Sequence, residues 1–178
     1  MPRYDAAHGS SWTWQSAGSV TAPSPLGGDA PDPNPTDRGK LGTKRHSLSD
    51  ERGAPLSVAI SGANRHAMKV ADAVLDGIVV ERPTPTPDQS QHLYRDKAFD
   101  YPETRRYVVH TPIRGVDTPP PPPDQRFPAR RWVVERSFAW KMRFRKLKSG
   151  HEKQAKNYPV LVQFACCPMV YRLRRVLG

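Results

Sequence analysis

The sequence predicts an α/β protein, a mixed sheet with helices packed on it and long proline-rich loops between. Three observations carry that prediction. KRHSLSD (44–50) and PLSVAISG (55–62) flank the turn residues ERGA as the two arms of a hairpin would. A helical stretch and then one short strand follow the hairpin, and a strand reached through a helix enters a sheet differently from one reached through a turn. The last third of the chain carries apolar residues at steps of three and four, the helical period.

Residues 1–43 form a mostly irregular segment in this reading. Trp12-Thr13-Trp14 alternates as a strand near 12–17 would, and Pro23, Pro25, Gly27, Gly28, Pro31, Pro33 and Pro35 then interrupt every period. The folded domain is expected over 44–178. In the hairpin, Gly53 suits the turn, with Leu56, Val58 and Ile60 on one face of the second arm and Ser57, Ala59 and Ser61 on the other. A helix over 65–76 follows from Val70, Val74 and Ile78 at four-residue steps, with Gly77 where a C-terminal cap belongs.

Pro83, Pro85 and Pro87 make 82–91 a loop, and 92–95 a short strand that stops at Asp96. Asp100 and Glu103 have capping-box-like spacing for a helix over 101–109. Five consecutive prolines (119–123) then favour extended geometry. Residues 130–148 read as a basic helix whose stripe of Val133, Ser137, Trp140, Phe144 and Leu147 keeps to one face. A last helix over 159–174 has Val160, Phe164, Cys167 and Tyr171 on one side, with Pro168 inside to kink it.

The charge is uneven. The chain carries 28 Lys+Arg against 17 Asp+Glu, a formal +11, and residues 130–148 hold eight basic side chains and one acid, Glu135, hence +7. Such a balance points to a polyanion, nucleic acid before an anionic membrane surface. No run of about 18 apolar residues could span a bilayer, and the first residues, MPRYDAAHGSS, have no signal-peptide core. Cys166 and Cys167 are adjacent, which suits neither a disulfide nor a zinc site, so a reducing cytoplasm is expected.

Two acids could do chemistry. Asp96 ends a strand and Glu135 lies near the start of a helix, positions that can converge at a sheet edge and hold Mg²⁺ through oxygen ligands. Against this, Glu135 can pair with Arg131 one turn back, and Asp96 can be a turn residue or pair with Lys97. His46, His66 and His110 lack the spacing of a helical zinc pair and read as structural or surface residues. Trp132 and Trp140 could stack on an unpaired base, but at helical spacing they read as core. Arg131, Arg136, Arg143, Arg145, Lys146 and Lys148 are the candidate phosphate contacts.

GTKRH (42–46), PLSVAISGANRH (55–66), DKAFDYPETRR (96–106) and ARRWVVERSFAW (129–140) closely resemble bacterial insertion-sequence transposases of the DDE class, in the insertion-sequence-five-like branch. The resemblance implies an RNase H-like fold and three acids holding two Mg²⁺ or Mn²⁺ ions. It also implies cleavage and strand transfer at transposon ends on double-stranded DNA, in the cytoplasm at the nucleoid, by a homodimer. By motif match Asp96 is the second acid and Glu135 the third, with Arg131 the arginine that precedes the glutamate.

The chain departs from that pattern in several places. Laid along it without a gap, Gly18 falls where the first aspartate belongs, Ala67 replaces an aspartate, Lys141-Met142 replaces Leu-Asn, and the N-terminal DNA-binding region is missing. Glycine ligates no metal, so a truncated, degenerate copy with impaired activity is expected. The alternative is a non-catalytic basic module that binds DNA and cuts none.

Overall fold

A computed structural model describes residues 4–6, 9–95, 107–110 and 130–177. Its sheet is built from β1 (Trp14–Pro23), β2 (Asp32–Pro33), β3 (Leu41–Asp50), β4 (Pro55–Gly62), β5 (Gln91–Arg95) and β6 (Tyr107–His110). The order runs β2-β3-β1-β5-β6, with β4 also paired to β3. β1, β3 and β4 are antiparallel neighbours, whereas β5 runs parallel to β1 and β6 parallel to β5. This mixed sheet with helices packed on it is consistent with the RNase H-like expectation.

The strand expected near 12–17 is longer than its alternation suggested. β1 pairs with β3 from Gln15↔Asp50 to Pro23↔Gly42, so tertiary pairing carries a Gly- and Pro-containing stretch that local propensity would leave irregular. The hairpin forms as expected, and Gly53 takes φ +91 in its turn, a conformation that glycine adopts without steric cost. Its second arm differs in phase. Leu48 pairs with Ser57 while Ser49 pairs with Pro55, leaving Leu56 as an extra residue at a bulge. Leu56 therefore packs with Ala17, Leu48, Val70, Val74 and Leu93, while Val58 and Ile60 face the opposite layer against Leu147, Tyr158 and Val162.

The helix expected over 65–76 starts with a 3₁₀ turn, Ala67–Val70, and continues as α1 (Ala71–Asp76). Val70 and Val74 enter the first core, as their spacing required. Ala67 is buried beside Ala71. The helix expected over 101–109 is contradicted at its C-terminal end: Tyr107–His110 is strand β6, the β-branched pair Val108-Val109 favouring the sheet over a weak capping signal. Residues 101–106 and the proline run 112–123 lie outside the described residues.

The basic helix is also broken. α2 (Trp132–Lys141) ends in a turn, Phe144 is extended (φ −76, ψ 113), and a short α3 (Arg145–Lys148) follows. The break lets Leu147 turn into the second core, whereas an unbroken helix would have held it in line with Val133. Val133 and Leu147 are buried, but Phe144 is 37% exposed, so the stripe is not one face. α4 (Asn157–Leu177) continues through Pro168 as one element. It packs Tyr158, Val162, Ala165 and Met169 inward, so the side formed by Val160, Phe164 and Tyr171 faces outward. Among the described residues no helix is long and apolar enough to cross a membrane.

The sheet's two faces differ in chemistry. The α1 side is an apolar core around the fully buried Leu48 and Leu56, whose truncation to alanine would each cost about 2–5 kcal/mol. Under α2 and α3 the strands present Ser16, Gly18, Ser47, Ser49 and Arg45, all buried. Arg45 reaches Leu147 O at 3.1 Å and Met142 Sδ at 2.7 Å, and Lys141 Nζ donates to Ser47 Oγ at 2.8 Å.

Burial pushes the Lys141 ammonium down to about 8, and the Arg45 guanidinium acts in the same direction. Between pH 8 and the ordinary lysine value of 10.5 the unfolded chain therefore holds the extra proton, and stability should rise with pH in that window. Urea midpoints measured from pH 7 to 9.5 should climb more steeply for the native chain than for Lys141→Met. Parallel curves would show that Lys141 keeps an ordinary proton affinity.

Candidate functional site

α2 carries the one acid of the basic stretch and lies across β1 and β3. What seats it there is small side chains. Val133, Val134, Ser137, Phe138 and Lys141 form its buried face. A β-carbon at Gly18 would stand 3.0 Å from Val134 Cγ1 and 3.3 Å from Phe138 Cε2, so the missing side chain is the space the helix occupies. Ser49 Oγ donates to Ser137 Oγ at 3.4 Å, and Ser137 Oγ lies 3.2 Å from the Gly53 carbonyl, tying the helix to the β3–β4 turn.

Position 18 thus faces the helix that bears Glu135. It offers no oxygen, and its immediate surroundings are the apolar groups of Val134 and Phe138. Glu135 itself points outward. Its Oε1 accepts from Arg131 Nε at 2.9 Å and pairs with the other guanidinium nitrogen at 2.8 Å, across side chains 43% and 57% exposed. The i−4 ion pair weighed from the sequence is present, and at this exposure it contributes a few tenths of a kcal/mol.

Asp96 lies outside the described residues, so its approach to Glu135 is an expectation. Its neighbour Arg95 closes β5 and pairs with Ala17, the residue before Gly18. Among the described residues no three His, Cys, Asp or Glu side chains gather as a metal group.

On the same face of the sheet an aromatic stack extends from β1 to β6. The Arg130 guanidinium lies 4.8 Å from the Trp14 ring and 5.5 Å from that of Tyr94. Tyr94 stacks on His110 at 4.6 Å, and His110 on His92 at 5.1 Å with Nδ1 of His92 2.9 Å from Nε2 of His110. Burial, then His92 and Arg130, hold His110 below the ordinary histidine range. Two histidines 18 residues apart give no sequence signal. The β5–β6 register, with Tyr94 opposite His110, brings them together.

The candidate phosphate contacts fall into two groups. Arg143, Arg145, Lys146 and Lys148 are exposed, and Arg143 lies 5.3 Å from the Trp140 ring. Arg136 donates to the Arg52 carbonyl at 2.7 Å and lies 4.8 Å from the Trp132 ring, while Arg131 serves Glu135. The tryptophans depart from their core expectation. Trp132 is 53% exposed and Trp140 half-buried, because the four-residue step that aligns them runs along the helix flank and not along its buried face.

Comparison with known proteins agrees with this architecture. A family model described as a transposase DDE domain matches residues 10–167. The chain is 30% identical over 158 residues, covering 80% of its own length and 69% of the other, to a Burkholderia cepacia protein assigned as transposase for insertion sequence element IS402.

The contact at Gly18 has a measurable consequence. Gly18→Ala should destabilise the chain by about 1 kcal/mol through overpacking against Val134. Val134→Ala should remove most of that penalty in a double-mutant cycle read by urea denaturation. Additive effects would show that the helix does not rest on position 18.

Proposed function

Because the chain belongs to the DDE transposase domain family, we propose that it serves DNA transposition by holding insertion-sequence DNA, with its metal-dependent cleavage and strand transfer impaired. The observation that carries the impairment is position 18. By the family resemblance an acid belongs there beside Asp96 and Glu135, and glycine offers no oxygen ligand in its place.

Two divalent ions in the manner of the family need several oxygen ligands converging at one place. The described donors do not fit such a pair. Glu135 stands exposed with its oxygen engaged by Arg131, and Gly18 brings α2 against β1 through apolar atoms. What these residues can do is bind a polyanion: Arg143, Arg145, Lys146 and Lys148 project cations from the surface beyond α2, and none of them is tied to an acid in the described geometry. Such contacts set affinity and position but carry no base sequence. The working partner is double-stranded DNA at element ends and targets, in the cytoplasm at the nucleoid, with a second copy of the chain on the same DNA.

A second reading, a module that binds DNA and cuts none, draws on the Arg131–Glu135 pair, which already satisfies the acid without metal. The two readings separate on residual turnover.

On terminal-repeat DNA with Mg²⁺ or Mn²⁺, nicking and strand transfer should run on the order of 10²–10³-fold or more below an intact family member, the scale of losing one charge-stabilising group. Robust turnover that Glu135→Ala abolishes would refute the impairment. Duplex binding should be unaffected by chelator and fall steeply with salt. Replacing Arg145, Lys146 and Lys148 together by alanine should lower the log–log salt slope by about 2–3. An unchanged slope would move the DNA elsewhere on the surface.

A further inference from the structure

α2 has two flanks. Trp132, Arg136 and Trp140 repeat every four residues along one, and Arg131 and Glu135 occupy the other. On the tryptophan flank, a groove of about 760 Å³ opens between α2, the β3–β4 turn and the C-terminal end of α4. Its floor includes Met169 and Leu173, its rim carries Arg136, Arg172 and Arg175, and among the described residues the single acid lining it is Glu51. The guanidinium of Arg136 lies 4.8 Å from the Trp132 ring, and that of Arg172 lies 4.7 Å from Trp140.

We propose that this groove binds an unpaired stretch of nucleic acid, with one base stacked on Trp132 and its phosphates along Arg136, Arg172 and Arg175. The groove has the two features a single strand needs, an aromatic platform and a cationic track beside it. Arg136 is pinned by its bond to the Arg52 carbonyl, so it backs the indole while half of the tryptophan's surface stays open. The volume is that of an ordinary small-molecule pocket, enough for a nucleotide and far short of a duplex segment. An acidic peptide would satisfy the arginines and leave the tryptophans without use. The inference rests on the DNA-holding function, but places a separate single-strand site on the flank of α2 opposite to Glu135.

Anisotropy of a labelled oligo(dT) of about ten nucleotides, and of a duplex of equal length, tests the assignment on the full chain. Trp132→Ala should weaken oligo(dT) binding about tenfold, the worth of one base–aromatic stack. Trp132→Phe should keep it within about threefold, and duplex affinity should stay within about twofold for both variants. The proposal is overturned if Trp132→Ala leaves oligo(dT) binding unchanged or weakens duplex binding equally. Displacement of oligo(dT) by polyglutamate at equal charge would overturn it too, showing a site that reads charge alone. A chain that binds the duplex but not oligo(dT) fails this proposal only, whereas one that binds neither fails the transposition reading as well.

Discussion

The close contact between α2 and β1 at Gly18 governs the rest of the molecule. A strand normally keeps a helix at the distance its side chains set, and here one position has none. Val134 and Phe138 fill that space, which draws the buried face of α2 onto the sheet. Once that face is fixed, the helical period fixes the others: Glu135 and Arg131 on one flank, Trp132 and Arg136 on the opposite one. The same residue that stands where the family resemblance would put an acid therefore also orients the basic helix. Any larger side chain at this position would have to displace α2.

Much of the fold was legible because its signals are local. The hairpin, the strand before Asp96 and the Val70–Val74 helix each depend on a period and a turn residue within about a dozen positions. What sequence missed depends on partners far along the chain. Leu56 changes layer because of a bulge opposite Leu48 and Ser49. Tyr107–His110 is a strand because β5 is there to receive it. Residues 130–148 break into two helices because Leu147 has a core of Tyr158 and Val162 to enter. No periodicity within a segment records these tertiary demands.

The site was legible in a different way. Motif resemblance singled out Glu135, Arg131 and position 18, and the structure puts position 18 against the helix that bears the other two. It also realises the ordinary alternative, an i−4 ion pair, which the sequence had already made visible. The tryptophans were misjudged because burial tendency is a property of residue type, whereas exposure here follows from which flank of α2 the β3–β4 turn leaves uncovered.

The two layers flanking the sheet are unequal in cohesion. One is held by interdigitated aliphatic side chains, the other by an apolar cluster around Leu147 and Val162 beside a polar centre of serines, a lysine and an arginine that has one buried nitrogen without a partner. On that second side the apolar cluster of Leu147, Tyr158 and Val162 anchors the C-terminal helices, so the polar centre around Lys141 and Arg45 is where a single lost hydrogen bond would leave a buried charge without compensation.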